Sequence, residues 1–562
     1  METDTNVNAY TFEQQKHLEN LGGEVADTNS FALPKVDFLS SLKNISAAKF
    51  TENGAPALST SFSALLDLFA QIGALRTRTN DDIINIFLKA YAENKDLALK
   101  TLFYARDIRG PQGLGERRTF RVILSYLADY HSDDIKHLVP LIPFYGRWDD
   151  VLCLCGTHLE EPALDLIAKQ FESDLQNLNS NHLQNISLLA KWLPSVNASS
   201  KATCGMAKYL LKHGLHISQK EYRQKLSALR TALRVIEKYI STKAWDQIDY
   251  AQVPSYAAVR YAQAFYRHDE ERYTKFLDSV MHGEAKIHAD TLYPYDIVRT
   301  LFTSGWANTE FTTNETVIQT AQQLWKALPD YLAEFGAENQ RYLVMADTSG
   351  SMFDRIGSIY RSVSLAIYFA EHTSGHFGDT FLTFTTHPTL VDLPANLSLI
   401  DKLRIVMDPN NVGYSTNLDA AFEQVLKAAV AHNLPQSELP TSILVISDME
   451  IDEAIHDWRS CGFNTDDEEE QKRAAYIDPT TQTFTARWTQ KFAEFGYVLP
   501  NIVYWNVNAR NNTFHATQTD NVRFVSGSSA ATFTTLCKTN GATPTETMLT
   551  ALLDERYAQI HT

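Results

Sequence analysis

Apolar positions recur three and four apart from about residue 60 to 335, then gather into short continuous runs after about residue 337. The helical period is carried by residues 61–73, 81–92, 96–109, 116–131, 133–139, 161–177, 182–192 and 218–241, with short polar, Gly or Pro breaks between them. Such spacing places the apolar side chains of each segment on one face. In 218–241, Leu226, Leu229, Leu233, Ile236 and Ile240 make one stripe, and Ser218 with Glu221 resembles a capping box. That pattern predicts one unbroken helix from Ser218 to Ser241. No strict sequence period appears, but consecutive antiparallel helices of this size suit an α-helical repeat, a HEAT-like solenoid or a ring.

The later runs, 341–346, 380–385, 442–447, 501–506 and 522–525, predict buried strands, with helices at 358–371, 399–407, 418–432 and 485–495 between them. Strand–helix alternation implies an α/β doubly wound parallel sheet. The chain therefore reads as multidomain: a loosely ordered arm (1–50), a helical domain (51–336) and an α/β domain (337–562). Residues 461–483, with the acidic run Asp466–Glu470, read as a solvated insertion in the last of these.

At 562 residues the chain exceeds a single core, and 44 % apolar with 21 % charged residues is an ordinary globular composition. The formal net charge of -17 excludes a global attraction to nucleic acid, so any such binding needs a local basic face. Cys153, Cys155, Cys204, Cys461 and Cys537 are odd in number, and Cys153-Leu-Cys155 is too tight for a zinc knuckle without a second pair nearby. Reduced thiols in a cytoplasmic protein are expected. The polar, acidic N-terminus has no signal-peptide pattern and no apolar run reaches about 18 residues, so neither secretion nor a membrane span is expected.

Three separated pieces carry candidate chemistry. Tyr342-Leu-Val-Met-Ala-Asp347-Thr-Ser349-Gly-Ser351 is a strand ending in a carboxylate and two spaced hydroxyls. Gly413-Tyr-Ser415-Thr416 precedes a helix, and Ser442-Ile-Leu-Val-Ile-Ser447-Asp448 is a second strand ending in a carboxylate. In a doubly wound sheet these ends converge on one edge, where such folds bind ligands. Two carboxylates with two or three hydroxyls suit a hard divalent cation, Mg2+ or another such as Mn2+ or Ca2+. Few formal charges leave that ion electrophilic and able to take an acidic side chain of a protein partner.

This constellation resembles the von Willebrand factor A domain and its metal-ion-dependent adhesion site. The resemblance implies Asp347, Ser349, Ser351, Thr416 and Asp448 as the metal-site residues. Two departures stand out: Ser415 competes with Thr416 for the ligand role, and Met449-Glu450 follows Asp448 where a glycine is usual. Glu450 or Asp452 would add charge nearby.

In the helical half, Ala105-Arg-Asp-Ile-Arg109, Leu141-Ile-Pro-Phe-Tyr-Gly-Arg147-Trp148-Asp149-Asp150, Ala190-Lys-Trp-Leu-Pro194 and Trp245-Asp-Gln-Ile-Asp-Tyr250 form a series. With Ser447-Asp-Met-Glu-Ile-Asp452 they resemble an uncharacterised family joining a helical domain of unknown function to a C-terminal A domain. The architecture is also similar to the Ro/TROVE proteins, helical rings closed by an A domain. That likeness implies a non-catalytic RNA-binding scaffold for small non-coding or misfolded RNA; the alternative is a metal-dependent protein-interaction adaptor.

From the residues themselves, Arg106, Arg109, Arg117, Arg118 and Arg121 cluster around one Gly-rich turn, and Arg147 follows. Arg223, Arg230 and Arg234 share a helix face in a stretch (201–250) holding ten lysines and arginines against four carboxylates. Such a stripe can contact phosphates, with Tyr222 and Trp148 offering stacking surfaces; the same arginines can equally pin helix to helix. Catalysis is not expected. Ser349 stands where a haloacid-dehalogenase-type site needs its second carboxylate, and no phosphate loop, G-x-S-x-G elbow or H-E-x-x-H occurs.

Overall fold

The computed structural model describes residues 46–289, 291–303, 310–331, 333, 341–373, 377–383, 388–412, 416–451, 484–518, 520–530, 532–539 and 541–562. Residues 1–45 of the arm, the acidic insertion, Gly413–Ser415 and Asp452 lie outside the described residues, while the end of the arm forms a strand (Ala48–Phe50).

Two short strands, β1 (Ala48–Phe50) and β2 (Pro56–Leu58), pair as an antiparallel hairpin. Helices follow, the longer ones being Ala64–Gln71, Asn80–Glu93, Lys95–Arg106, Arg118–Tyr130, Glu160–Asn179, Lys201–Leu210, Gln219–Ala232, Ser255–Met281 and Glu315–Lys326. The six-stranded sheet comprises β3 (Tyr342–Ala346), β4 (Thr380–Thr383), β5 (Leu390–Asp392), β6 (Ser442–Ser447), β7 (Asn501–Asn506) and β8 (Val522–Ser526). Its order is β5-β4-β3-β6-β7-β8. Every pairing is parallel except β4 with β5. The antiparallel edge strand departs from the all-parallel expectation: three residues are too few to carry a period-2 signal, and an edge strand needs little of it.

The sheet joins two cores. On one face Leu343, Met345, Ile443, Val445, Ile502, Tyr504 and Phe524 pack with the helices Leu418–Ala431, Phe484–Glu494 and Pro544–Leu552, and with the helical stretch as far as Leu229. On the other face Tyr342, Val344, Ala346, Leu444, Ile446, Val503 and Trp505 pack with the helices Ser358–His372, Leu399–Val406 and Thr532–Lys538, and with the helical stretch from Ile236 onward. Alternate residues of one strand thus belong to different cores, as the pleat requires.

The place where the helical chain passes from one core to the other corrects the single-helix expectation. The helix stops at Ala232, Arg234 takes a left-handed φ of 50°, and a short helix resumes at Ile236. Leu226 and Leu229 serve the first core while Ile236 serves the second. One apolar stripe in sequence therefore feeds two separate interiors. Residues 182–192 also fail to make the expected helix, forming only a 3-10 turn and a single α turn.

The ends of the helical stretch are tied to each other and to the sheet. Tyr293 donates its hydroxyl to the Leu114 carbonyl (3.0 Å). Gly73 lies against β8: its N–H donates to Ser526 Oγ (3.0 Å), and a Cβ there would sit 2.6 Å from the Ser526 carbonyl oxygen. Arg76 pairs with Glu116 and also donates to Ser528 Oγ (3.2 Å), which accepts from Arg361 Nε as well (2.8 Å). Cys153, Cys155, Cys204 and Cys537 are free, and burial pushes the Cys153 thiol up to about 12. No helix among the described residues is long and apolar enough to cross a membrane.

Candidate metal centre and basic surfaces

β3 and β6 are adjacent, and the chain order reverses between them, with β4 and β5 on one side and β7 and β8 on the other. Asp347 and Asp448 are the first residues past their carboxyl ends, so both stand at the switch-point crevice. The Asp347 N–H continues the ladder to the Ile446 carbonyl (2.9 Å).

Hydrogen bonds link four of the five sequence-predicted ligands. Asp347 accepts from Ser349 N–H at Oδ1 (2.9 Å) and from Ser447 Oγ at Oδ2 (2.6 Å). The Ser349 and Ser351 hydroxyls lie 3.1 Å apart, and the Ser351 hydroxyl bonds to Asp448. Asp448 also accepts from Glu450 N–H at Oδ1 (3.1 Å) and from Arg510 Nη2 at Oδ2 (2.9 Å). Thr416 is buried just before the helix Leu418–Ala431. Next to Asp347, Thr348 Oγ1 donates to the carbonyl of Asn411, five positions before Thr416 (3.2 Å).

Both carboxylates are almost wholly buried. Burial, together with the charge of Asp448, pushes the Asp347 carboxyl up to about 7, and burial raises Asp448 despite Arg510. Two like charges held in a dry crevice are the condition that a bound cation relieves. Arg510 pairs with Asp448 Oδ2 (2.9 Å) and Glu52 Oε2 (2.6 Å), with the charges of Lys49 and Glu450 also within electrostatic reach of this group. The donor set is oxygen only. Residues and charge therefore fit a hard divalent cation.

The turn after Asp448 is built without the glycine of the site that the sequence resembles. Met449 adopts a left-handed φ of 69°, the conformation for which a glycine is favoured. Ser447 Oγ accepts the Met449 N–H (3.0 Å), and burial of the side chain holds the turn in place. Glu450 adds charge nearby, its carboxylate helping to raise Asp448, and it accepts from Glu52 N–H (2.7 Å), Thr513 Oγ1 (3.0 Å) and Asn511 Nδ2 (3.2 Å).

The arginines expected to contact RNA divide into two groups. Arg106 is buried and donates to Asp150 Oδ2 (2.7 Å); Arg121 pairs with Asp150 Oδ1 (2.7 Å) and Asp149 (2.8 Å). Arg109 caps the carbonyls of Pro143, Phe144 and Gly146, and Arg230 those of Ala190 and Leu193. These four hold helix ends and turns together. Tyr222 is buried with its hydroxyl on the Pro194 carbonyl, and Trp148 is buried too, so neither offers a stacking face. Arg147 lies over the Trp192 ring at 4.2 Å. Arg118 reaches Asn80 Oδ1 (2.7 Å) and Arg234 reaches Gln252 Oε1 (3.3 Å), both from exposed positions. Arg117 and Arg223 are exposed without an ion pair among the described residues.

Motif and periodicity give no sign of Arg510 and Glu52: Arg510 lies 62 positions from Asp448, and Glu52 lies 458 from Arg510. Nor do they show a groove of about 610 Å³ between the helices Ser255–Met281 and Glu315–Lys326, lined by Tyr256, Arg260, Gln263, Asp296, Arg299 and Thr300. The Tyr256 ring is half exposed there, and Arg260 and Arg299 form no ion pair among the described residues.

Two family models match this chain. "Domain of unknown function (DUF2828)" matches residues 51–139 and 161–337, and "Domain of unknown function (DUF7788)" matches residues 342–558. The junction between them coincides with the start of β3. "Uncharacterized protein L728" of Acanthamoeba polyphaga mimivirus is 27 % identical over 495 residues, covering 82 % of this chain and 79 % of the relative. The crystal structure of the Deinococcus radiodurans RO (RSR) protein aligns with a TM-score of 0.39 at 13 % identity, covering 88 % of this chain and all of that one.

Proposed function

We propose that the protein is a non-catalytic binding scaffold whose sheet edge is a divalent-cation-dependent interaction site. The observation that carries this reading is the buried pair Asp347 and Asp448, bridged by the Ser349 and Ser351 hydroxyls at a switch-point crevice. With Mg2+ or Mn2+ bound, Asp347, Ser349, Ser351, Thr416 and Asp448 are the residues that would hold it, and the ion would supply an electrophilic position for a partner's carboxylate. The residues themselves orient the site: Ser447 fixes Asp347, and Ser351 fixes Asp448. Capture of partner proteins in Mg2+ and in a chelator, by the intact chain and by Asp347→Ala, tests the reading. Partners retained equally under all conditions would refute it.

A second reading, RNA as a ligand of the helical stretch, draws support from the groove lined by Arg260, Arg299 and Tyr256. Two guanidinium groups without an ion pair among the described residues, beside an exposed ring, suit a phosphodiester and a base, with the Asp296 carboxylate in the same groove. Binding of single-stranded and structured RNA at two salt concentrations checks it. Affinity that falls with salt and with Arg260→Gln plus Arg299→Gln supports it; no affinity even at low salt removes it.

A further inference from the structure

The loop after β7 places a fixed cation on the candidate metal centre. Arg510 donates Nη2 to Asp448 Oδ2 (2.9 Å) and Nη1 to Glu52 Oε2 (2.6 Å). Glu52 lies in the turn of the β1–β2 hairpin, 458 positions away in sequence. This turn is clamped onto the sheet edge. Its Glu52 N–H meets Glu450 Oε2 (2.7 Å), Asn53 Nδ2 donates to the Glu450 carbonyl (2.6 Å), and Thr51 Oγ1 donates to the Ile451 carbonyl (2.5 Å). A second set of contacts holds the arginine's own loop. Ala509 N–H donates to the Ala74 carbonyl (2.9 Å), Arg78 Nη2 to Asn512 Oδ1 (2.7 Å), and Lys49 Nζ to the Asn512 carbonyl (2.9 Å).

The guanidinium is therefore not a drifting surface group. It is held between two carboxylates, one in the cation crevice and one on the N-terminal hairpin. A divalent ion that draws on Asp448 competes with Arg510 for the same carboxylate and repels its charge. Glu52 offers Arg510 a second partner that survives when Asp448 is taken.

We propose that Arg510 is a built-in competitor of the divalent cation at Asp448, and that Glu52 is its alternative partner, so that cation occupancy is linked to the hairpin. This inference rests on the divalent-cation reading of the Asp347–Asp448 crevice. Arg510 and Glu52 act in opposite directions: loss of Arg510 unmasks Asp448 for metal, whereas loss of Glu52 confines Arg510 to Asp448. Binding of the ion shifts Arg510 fully to Glu52, and by reciprocity anything that strengthens the Arg510–Glu52 pair tightens the ion.

Calorimetric titration of Mn2+ and Mg2+ into the full chain and its variants tests this, with melting in chelator as the readout of fold. Arg510→Gln is expected to bind the ion roughly tenfold tighter or more, the low end for removing a close charge contact. Arg510→Lys keeps a cation and stays near the wild type. Glu52→Gln weakens the ion, and the double variant comes close to Arg510→Gln, because the Glu52 carboxylate, which also accepts from Asn511 Nδ2 (2.7 Å), meets Asp448 through Arg510. Equal affinities in the wild type and a folded Arg510→Gln would overturn the latch while leaving the cation site standing. Absence of binding by every variant up to about 10 mM, above the range of low-charge sites, would remove the site and the latch together.

Discussion

Replacing Arg106 by Met removes one of the three donors to Asp150 in the helical stretch. Asp150 is fully buried and accepts from Arg106 Nε (2.7 Å), Arg121 Nε (2.7 Å) and the Arg147 N–H (2.8 Å). Arg106 is itself 1 % exposed, so no water replaces it when the guanidinium is gone. Breaking a buried ion pair from one side costs about 3–5 kcal/mol, because a charge is left without its counterion. Arg121 remains but is partly solvated, which places the expected loss near the lower end, about 3 kcal/mol. Urea unfolding followed by circular dichroism and tryptophan fluorescence reads this as a lower midpoint. Arg106→Met with Asp150→Leu should be no less stable than Asp150→Leu alone, since the two groups stabilise each other. Any RNA affinity of the intact protein should survive Arg106→Met wherever the variant is folded. Stability within about 1 kcal/mol of wild type together with lost RNA binding would refute the reasoning and return Arg106 to a ligand-contacting role.

Gly73→Ala should destabilise by about 1–3 kcal/mol, as expected for overpacking, because its Cβ would meet the Ser526 backbone; a thermal melt checks this. His515 is buried, donates through Nε2 to the Met449 carbonyl (3.0 Å), and burial lowers its pKa below 6.5. The unfolded chain thus takes up a proton that the folded one refuses, so stability is intact above 6.5 and falls as pH drops below it. His515→Gln should flatten that slope by up to about 1.4 kcal/mol per pH unit, measured by urea midpoints between pH 7 and 5. With its thiol raised by burial, Cys153 should resist a neutral-pH disulfide reagent in the native protein and react after unfolding; rapid native labelling would contradict its placement.

Strands and the crevice were the most legible parts of the sequence. Residues 443–446 and 502–505 are uninterrupted apolar runs flanked by Ser and Asn, buried on both faces, and the structure places β6 and β7 over the flanked bounds 442–447 and 501–506. Asp347 and Asp448 could be placed at one edge because strand–helix alternation dictates parallel strands with like ends together. The helix break at Arg234 was not legible, because periodicity reports that a residue is buried and not in which core. Arginine roles were hidden for a related reason. Arg106 and Arg117 look alike in a basic cluster, yet a buried Asp150 lies over one and solvent over the other. The Arg510–Glu52 pair joins the first described strands to the last ones, and no local pattern encodes that separation.

Manganese paramagnetic resonance of the purified full chain addresses the central claim most directly. The account predicts one bound Mn2+ per chain in an all-oxygen environment, displaced by Mg2+ and lost in a folded Asp347→Asn. Manganese bound equally well by that variant, or by no form of the protein at millimolar concentration, would contradict it.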